Sequence, residues 1–371
     1  MRDMHGILFA YASHPHLREL TERRTASSVP FGGRYRVIDF MLNNMCNAGI
    51  TDVGVIMREN YQSLLDHLGS GKDWDLARKL GGLRLLPPFG YAGAHRDGVF
   101  QGNMEALIGV SAHLQHIRQE YVVLAGSDMV VSLPLEEVFD CHRESGADIT
   151  CVCTPHCVGQ PDSDVFFHLS KKNSILDVSR GRAETAAYQG LSIYVLSTAL
   201  LLNLVSLCAA HNLYDFERDV LQRMGNRLNL SAYVFSGYCA QIRSVSSYFS
   251  HSMDLLRAEV RTELFPPSRP VKTKVRDEAS AYYGPDSRVS NCLVADGCYI
   301  EGAVKNCILF RGVTVEAGAQ LENCILMQNT RIQAGANLNN VITDKDVLIN
   351  RGRMLMGHEN YPLAISKGSS V

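Results

Sequence analysis

Residues 8–40 read LFAYASHPHLRELTERRTASSVPFGGRYRVIDF, and this stretch decides how the rest of the chain is organised. The apolar run from Gly6 to Ala10 predicts a short buried strand. A polar loop follows. From Val37 to Ala48 apolar residues recur at helical spacing, and Gly49 ends the helix. A strand, a loop and a helix at the start of a chain are the usual setting for a phosphate-binding loop.

The loop after the first strand has the wrong shape for a phosphate. A phosphate cradle uses free backbone N–H groups that approach the anion closely, so it is rich in glycine. Here Tyr11 and Ala12 carry side chains, and Pro15 has no N–H to donate. His14 and His16 could form an anion or metal site, but no cysteine or carboxylate is spaced nearby to complete one. We therefore interpret both as solvated loop histidines.

The overall composition is that of an ordinary globular protein. The chain has 371 residues, 46% hydrophobic and 20% charged, which is enough for two domains and a large core. A net charge of −2 gives no reason to expect nucleic acid or an anionic membrane as a partner. We find neither a signal pattern nor an apolar run long enough to span a bilayer. Eleven cysteines in such a chain predict reduced thiols in the cytoplasm.

Strands and helices alternate along the chain up to about residue 245. The segment from Thr51 to Met57 completes a parallel β-α-β unit, and Tyr121 to Ala125 predicts a central strand that ends at Gly126-Ser127-Asp128. This alternation predicts an α/β domain over residues 1–245 with a mostly parallel, doubly wound sheet. Further strands are expected at 148–153, 165–169, 175–178, 191–196, 228–235 and 242–245, and helices at 102–116, 135–144 and 215–224.

Residues 246–275 are predicted to connect two domains. The apolar residues from Ser246 to Leu264 have the spacing of an amphipathic helix. The proline-rich stretch 265–270 then stops the helix and extends the chain, because proline lacks an N–H and restricts the residue before it. The domain boundary is therefore expected here.

The composition changes again over residues 276–371. Aliphatic residues step by six, as in Val315, Leu321 and Met327, which is typical of a hexapeptide-repeat parallel β-helix with about three hexads per coil. In such a coil glycine and asparagine take the positive-φ corners, and aliphatic side chains stack inward. Because the ends of a stack must be capped or meet a partner, an oligomer is expected. An Asn-aliphatic or Asn-Cys-aliphatic triplet recurs four times, at Asn291, Asn306, Asn323 and Asn340.

From Arg24 through the helix to Ile50, the chain resembles bacterial glucose-1-phosphate adenylyltransferase (ADP-glucose pyrophosphorylase), and the similarity runs over essentially all 371 residues. That family carries a Gly-Gly-x-Gly-x-Arg-Leu loop, then Arg-Ala-Lys-Pro-Ala and a Phe-Gly-Gly turn. When the family pattern is aligned without gaps, its three loop glycines fall on Tyr11, Ala12 and His14. Its loop arginine falls on His16, and its lysine falls on Ala26.

The chain thus keeps the family's structural motifs but lacks the loop residues that carry out its reaction. This combination is similar to the family's second, D-type subunit of glycogen synthesis, which is described as non-catalytic. The resemblance implies a Rossmann-like nucleotidyltransferase domain followed by a left-handed parallel β-helix of hexapeptide repeats.

The resemblance also implies two positions for Mg²⁺. The family places an aspartate for the metal directly after a glycine at the end of the central strand, and here Ser127 intervenes before Asp128. The segment Asp-Phe-Glu-Arg-Asp at 215–219 matches the family's Asp-Phe-Gly-Lys-Asp, so Asp219 corresponds to the second ligand. A bound Mg²⁺ at Asp128 and Asp219 is one expectation, and ordinary capping or surface carboxylates are the other.

Substrate and effector positions follow in the same way. Gln101 begins the Gln-Gly pair that meets the nucleotide in the family, and Arg180 keeps a positive charge near the family's sugar-phosphate signature. Arg24 and Arg36 match two arginines that bind sugar-phosphate effectors, and Arg23 matches a lysine. The third basic group of that effector site would fall near residues 337–340, which are neutral here.

These substitutions predict a protein that is inactive alone. Losing one oriented donor at a charge-developing site costs roughly 10²–10³ in rate, and several positions have changed. The resemblance therefore implies a regulatory subunit, with no required cofactor, that joins a catalytic homologue in a homo- or heterotetramer and responds to a sugar phosphate. An active enzyme with a remodelled loop and a sugar-nucleotide-binding homo-oligomer remain alternatives. A hexapeptide-repeat acyltransferase is disfavoured, because no histidine lies between His251 and His358.

Overall fold

The computed structural model describes residues 3–11, 14–87, 102–155, 165–181 and 187–371. Its central strand is β1, which is buried along its whole length because it lies between two parallel neighbours, β4 and β6. In chain order the strands of the N-terminal domain are β1 (Met4–Phe9), β2 (Pro30–Phe31), β3 (Tyr35–Arg36), β4 (Asp52–Ile56), β5 (Gly82–Leu86), β6 (Tyr121–Gly126), β7 (Met129–Val131), β8 (Ile149–Thr154), β9 (Val165–Leu169), β10 (Ile175–Arg180), β11 (Tyr188–Ser197), β12 (Leu230–Val234) and β13 (Cys239–Gln241).

The main sheet has the order β10-β9-β11-β6-β1-β4-β5, and β8 joins β11 to β12. Strands β6, β1, β4 and β5 are parallel, as is the β8–β12 pair. The antiparallel pairs involve β11 or the β9–β10 hairpin. The prediction of a mostly parallel nucleotidyltransferase-type sheet is confirmed.

Helices cover both faces of this sheet. One apolar cluster is formed with α1 and α5, and a second with α3, α6 and a π-helix. The helices are α1 (Val37–Asn47), α2 (Gln62–Leu68), α3 (Asn103–Gly109), α4 (Ser111–Leu114), α5 (Leu135–Ser145), α6 (Thr198–His211), the π-helix (Phe216–Gln222), α7 (Val245–Asp254) and α8 (Ala258–Leu264). No single helix in these ranges is long and apolar enough to cross a membrane, although α6 and the π-helix, bent by 107°, pass such a test jointly on length and composition alone.

Two predicted elements near the end of the first domain differ from the structure. The strand expected at 242–245 is wrong: the strand there is β13, which pairs with β7, and helix α7 begins at Val245. Ser244 caps that helix by accepting a hydrogen bond from the backbone N–H of Ser247 (3.0 Å), which fixes the start of the helix. The single helix expected over 246–264 is broken between Asp254 and Ala258.

Residues 282–365 form three five-stranded parallel sheets, which is the predicted parallel β-helix. The four triplet asparagines have φ between 50° and 52°, as expected for corners. That the coil is left-handed stays a prediction. The strands are β14 (Tyr282–Tyr283), β15 (Arg288–Ser290), β16 (Leu293–Val294), β17 (Tyr299–Ile300), β18 (Ala303–Lys305), β19 (Ile308–Leu309), β20 (Thr314–Val315), β21 (Gln320–Glu322), β22 (Ile325–Leu326), β23 (Arg331–Ile332), β24 (Asn337–Asn339), β25 (Val341–Thr343), β26 (Leu348–Ile349), β27 (Met354–Met356) and β28 (Leu363–Ile365).

The two domains share one apolar cluster. Ile308, Ile325 and Ile342, from three successive coils, belong to the same cluster as Phe31 and Tyr248 of the N-terminal part. The Tyr248 hydroxyl donates to the Pro30 carbonyl at 2.8 Å. Residues 246–275 are therefore part of a packed core, rather than only a connection, and the β-helix is held firmly against the first domain.

Candidate functional site

The loop after β1 is held in place by its own side chains. The Tyr11 hydroxyl donates to Asn103 Oδ1 at 2.6 Å, and its ring meets that of Phe9 edge-on at 6.1 Å. Burial, followed by the charge of Glu105, raises the pKa of Tyr11 above its ordinary value. The aligned loop position that carries glycine in the family is thus filled by a partly buried ring. Ala12 lies outside the described residues, and Ala26 is fully buried with no group that could bind a ligand.

His14 contacts the carboxylate at the end of the central strand. Its Nε2 lies 2.9 Å from Asp128 Oδ2, and Arg243 Nε lies 3.9 Å from the same oxygen. Burial would raise the pKa of Asp128, but the hydrogen bond and charge of His14, with the charge of Arg243, lower it to about 2. The expectation that His14 is merely solvated is wrong, because its imidazole contacts Asp128. The sequence did not show this contact because the two residues are 114 positions apart. His16 is exposed, as expected.

Ser127, which shifts Asp128 by one position relative to the family pattern, has a structural role. Its buried hydroxyl donates to the Phe9 carbonyl at 2.8 Å and bonds the hydroxyl of Ser27 at 2.7 Å. It therefore ties the end of β6 to the end of β1 and to the segment before β2. Asp128 lies directly after this tie, next to the loop.

Asp219 is fully buried, and its carboxylate is already saturated. Arg218 donates to both of its oxygens at 2.9 Å, and Arg223 lies 3.1 Å from Oδ1. Oδ2 also accepts from the backbone N–H groups of Tyr214 (3.1 Å) and Asp215 (3.0 Å). The hydrogen bond from Arg218 is the main reason that the pKa of Asp219 falls to about 2.

The residues present do not fit the Mg²⁺ site that the resemblance implied. Every lone pair of Asp219 that could coordinate an ion faces an arginine or an N–H group, and Asp128 faces His14 and Arg243. Within the described ranges there is no group of three or more His, Cys, Asp or Glu side chains that could hold a metal.

Of the two predicted substrate-binding residues, one forms an ion pair within the chain and the other lies outside the residues that the structure describes. Arg180 Nη1 lies 2.9 Å from Asp215 Oδ2, so its charge is paired within the chain. Gln101 lies outside the described residues. Its neighbour Gly102 packs so closely on Tyr214 that an added Cβ would lie 2.5 Å from the Tyr214 carbonyl oxygen. That carbonyl accepts hydrogen bonds from the backbone N–H groups of Met104 (3.0 Å) and Glu105 (3.1 Å), so it caps the N-terminus of α3.

Glu217 is a functional candidate whose role sequence reasoning missed. It replaces the family's glycine, and the structure shows its Oε1 accepting from the Tyr194 hydroxyl (2.6 Å) and from Ser192 Oγ (3.0 Å). Ser192 has φ of +52°, at the point where the register of β11 on β8 shifts. Burial raises the pKa of Glu217. An acidic side chain thus occupies the space beside β11, and the glycine replacement was the signal that could have indicated it.

A second site lies between the domains. We call it the cationic cleft: a cavity of about 60 Å³ whose lining includes a single carboxylate, that of Asp66. The cations come from β3, its preceding turn, the segment after α8 and the β-helix. They are Arg34, Arg36, Lys274, Arg276, Arg311 and Lys345.

Three of these cations have a lowered pKa or a buried N–H group without a hydrogen-bond partner among the described residues. Arg36 Nη1 donates to the carbonyl and the hydroxyl of Ser63, and burial lowers the pKa of Arg36 to about 10. Arg311 is 4% exposed, and its buried Nε has no hydrogen-bond partner among the described residues. Burial, then the charges of Arg36 and Arg24, lower the pKa of Lys345 to about 7. Cations that are buried and mutually repulsive are the arrangement that favours an anionic ligand.

The structure brings only one of the three predicted effector residues into this cleft. Arg36 lines it, whereas Arg23 is exposed and outside its lining. The assignment of Arg24 needs correction: its guanidinium is 4% exposed, and Nη2 donates to both oxygens of Asp344 at 2.7 and 2.8 Å. Residues 337–340 do not line the cleft, to which the β-helix contributes Arg311 and Lys345.

Two family models and several known proteins match most of this chain. The family model Nucleotidyl transferase matches residues 13–258, and GlmU-like, C-terminal hexapeptide matches 273–360. The glycogen biosynthesis protein GlgD of Bacillus subtilis (strain 168) is 38% identical over 352 residues, covering 95% of this chain and 92% of the relative. GlgD of Geobacillus stearothermophilus is 37% identical over 323 residues (85% and 82%), and glucose-1-phosphate adenylyltransferase of the same organism is 29% identical over 320 residues (85% and 82%).

The fold and the family models together define a protein of the nucleotidyl transferase class with a hexapeptide-repeat C-terminal domain. Within that class, the chain belongs to the glucose-1-phosphate adenylyltransferase family, in the branch that contains the glycogen biosynthesis protein GlgD.

Proposed function

We propose that this chain is a non-catalytic regulatory subunit of glucose-1-phosphate adenylyltransferase, which makes ADP-glucose and pyrophosphate from ATP and glucose 1-phosphate. In this proposal it assembles with a catalytic homologue in the cytoplasm and modulates its output for glycogen synthesis. One observation carries the proposal: His14, in the loop that should hold the triphosphate, instead lies 2.9 Å from Asp128. An imidazole of the chain itself thus contacts the carboxylate that the resemblance assigns to a bound metal ion.

The charges around the loop support the same conclusion. The charges of Glu105, Asp215 and Glu217 raise the pKa of the Tyr11 hydroxyl and that of Arg58 lowers it, so a triphosphate would approach three carboxylates and one arginine. The nearby arginine Arg180 is paired with Asp215 and cannot offset this repulsion without breaking that ion pair. Bringing like charges together in a partly buried site costs several kcal/mol, about the scale of a nucleotide's whole binding energy.

The cationic cleft supports the regulatory part of the proposal. A cavity of about 60 Å³ has room for a phosphate group and a few further atoms, and is small for a nucleotide. Its six cations face a single lining carboxylate, and the unpartnered Nε of Arg311 is a donor that a phosphate oxygen would satisfy. We therefore propose a small phosphorylated metabolite as the effector, bound between the two domains.

Co-expression with a catalytic homologue tests the assembly. We expect a mixed oligomer by native mass measurement, with ADP-glucose synthesis whose response to phosphorylated metabolites differs from that of the homologue alone. Two separate populations, or an identical response, would contradict the proposal. A homo-oligomer that binds sugar nucleotides is the remaining alternative, and calorimetric titration of the isolated chain with ADP-glucose distinguishes it.

Arg36→Ala in the mixed oligomer tests the effector cleft. We expect the effector concentration for half-maximal response to rise at least about tenfold, because a buried phosphate contact is lost. Arg23→Ala is the matched control, since Arg23 is exposed and outside the cleft, and it should respond like the unmodified chain. Equal responses of the two variants would refute the cleft as the effector site.

A further inference from the structure

One amine of the cationic cleft has no partner among the residues that the structure describes. Lys345 is half-buried, and within the described part of the chain its Nζ makes neither a hydrogen bond nor an ion pair. Both carboxylate oxygens of its neighbour Asp344 accept hydrogen bonds from Arg24. The other lysine of the cleft, Lys274, donates its Nζ to the Asp66 carbonyl. The exposed Lys305 pairs with Glu322 at 2.8 Å.

The groups that face Lys345 disfavour its charged form. Burial is the largest effect, and the charges of Arg36, Arg24 and Arg276 add to it by repelling the ammonium. The carboxylate of Asp344 partly offsets this repulsion. Asp66 and His67 of α2 also line the cleft, and burial lowers the pKa of His67 below its ordinary value. With a pKa of about 7, a large fraction of Lys345 is free amine at neutral pH. A free amine beside other cations is the form in which lysine acts as a nucleophile.

We propose that Lys345 is a covalent acylation site for small acyl phosphates, whose phosphate group is held by the arginines of the cationic cleft. This inference rests on the proposed anion-binding role of the cleft. Guanidinium groups bind phosphate in two-pronged geometry and would fix the acyl carbon close to the amine. The cavity of about 60 Å³ selects for a compact donor such as acetyl phosphate.

The reaction balances without an oxidant or reductant. The Lys345 nitrogen attacks the acyl carbon, a C–N bond forms, and the bond between that carbon and the phosphate oxygen breaks. Inorganic phosphate leaves with the bonding electron pair, and the amine proton passes to phosphate or water. The product is a neutral amide, so Lys345 can no longer take up a proton when an anion binds in the cleft. Acylation would therefore weaken binding of a phosphorylated effector. The effector response of the protein would then depend on the concentration of activated acyl groups.

Incubating the full-length chain with acetyl phosphate between pH 6 and pH 9 tests the proposal, with acetylation measured at each lysine by peptide mass spectrometry. Lys305, exposed and ion-paired, is the internal reference. We expect Lys345 to react at least about tenfold faster than Lys305 at pH 7, since far more of it is unprotonated. Its rate should level off above about pH 8, and inorganic phosphate should slow Lys345 alone. Comparable rates at the two lysines would overturn the proposal.

A second arm uses the uncharged donor N-hydroxysuccinimidyl acetate, which needs the free amine but no phosphate site. Fast labelling by this ester without fast labelling by acetyl phosphate would overturn phosphate-guided acylation. Slow labelling by both would overturn the inference and leave the effector proposal standing, because the response of the Arg36→Ala oligomer does not depend on acylation. Lys345→Arg should lose the fast reaction, whereas Lys305→Arg, at an exposed lysine outside the cleft, should leave the rate at Lys345 unchanged.

Discussion

The imidazole of His14 stands where the aligned family loop has a glycine, and it contacts a carboxylate that the family assigns to a metal ion. Similar changes recur at single residues around the site: Tyr11 bonds Asn103, Glu217 accepts from Tyr194, and Arg218 covers Asp219. Each of these side chains makes its contact inside the protein. The sequence could identify the replaced positions, but their new partners lie far along the chain and were out of reach of local patterns.

The His14–Asp128 contact should stabilise the fold. Replacing His14 by Ala leaves a mostly buried carboxylate with only the more distant Arg243, and we expect the free energy of unfolding at pH 7 to fall by about 1–3 kcal/mol. Denaturant unfolding measures this difference. His16→Ala is the matched control and should change it by no more than about 0.5 kcal/mol, because His16 is exposed. Equal effects of the two variants would show that the contact is absent.

The depressed pKa of Asp128 makes an acid-dependent contribution. The folded state holds the proton less tightly than the unfolded chain, so this stability is fully present above about pH 4 and is lost as the pH falls through about 2. The shift corresponds to about 2 kcal/mol. We expect Asp128→Asn to flatten the unfolding free energy over that window, whereas Asp177→Asn, at an exposed carboxylate, should leave the slope unchanged. An unaltered slope in Asp128→Asn would contradict the ion pair.

At the scale of elements, periodicity predicted most of the sheet and the β-helix, and it failed where packing hides the pattern. Helix α6 escaped prediction because its apolar residues run all around it, from the buried Leu201 to Leu207, which is 42% exposed. The predicted helix over 102–116 is interrupted at Val110 between α3 and α4. Strand β13 pairs with β7 outside the main sheet, and no alternating pattern in three residues could have located it.

The start of α3 depends on a close approach that only glycine permits. A Cβ at Gly102 would lie 2.5 Å from the Tyr214 carbonyl oxygen and 2.8 Å from the Asp215 Cα, and backbone atoms cannot move aside cheaply. We expect Gly102→Ala to lower the free energy of unfolding by about 1–3 kcal/mol. Gly109→Ala, at the other end of the helix, meets nothing within 4 Å and should be neutral or slightly stabilising. A stable Gly102→Ala variant would refute this packing.

For the whole molecule, the arrangement of the two domains decides which residues form a site. The cationic cleft contains residues from both domains, and Arg311 and Lys345 were missed because no sequence pattern shows which coil faces the first domain. Arg24 was assigned to an effector for the same reason, since Asp344 lies 320 residues away in the sequence. Domain boundaries at 245 and 275 remain a prediction, and the shared apolar cluster makes the domains one packed body.

The Arg24–Asp344 ion pair should couple the domains. Arg24→Met leaves a buried carboxylate without its main partner, and we expect a loss of about 3–5 kcal/mol in denaturant unfolding. The double variant Arg24→Met/Asp344→Leu removes both charges and should recover most of that loss. Arg23→Met is the exposed control. Additive losses in the double variant would mean that the two side chains do not interact.

The central claim is that this chain cannot carry out nucleotidyl transfer alone, and turnover of the isolated protein tests it most directly. ADP-glucose formation would be measured with saturating ATP, glucose 1-phosphate and Mg²⁺, beside a catalytic homologue under the same conditions. With several oriented donors replaced at once, we predict a rate at least about 10³-fold below that of the homologue. Synthesis of ADP-glucose by the isolated chain at a rate comparable to that of the homologue would contradict the account.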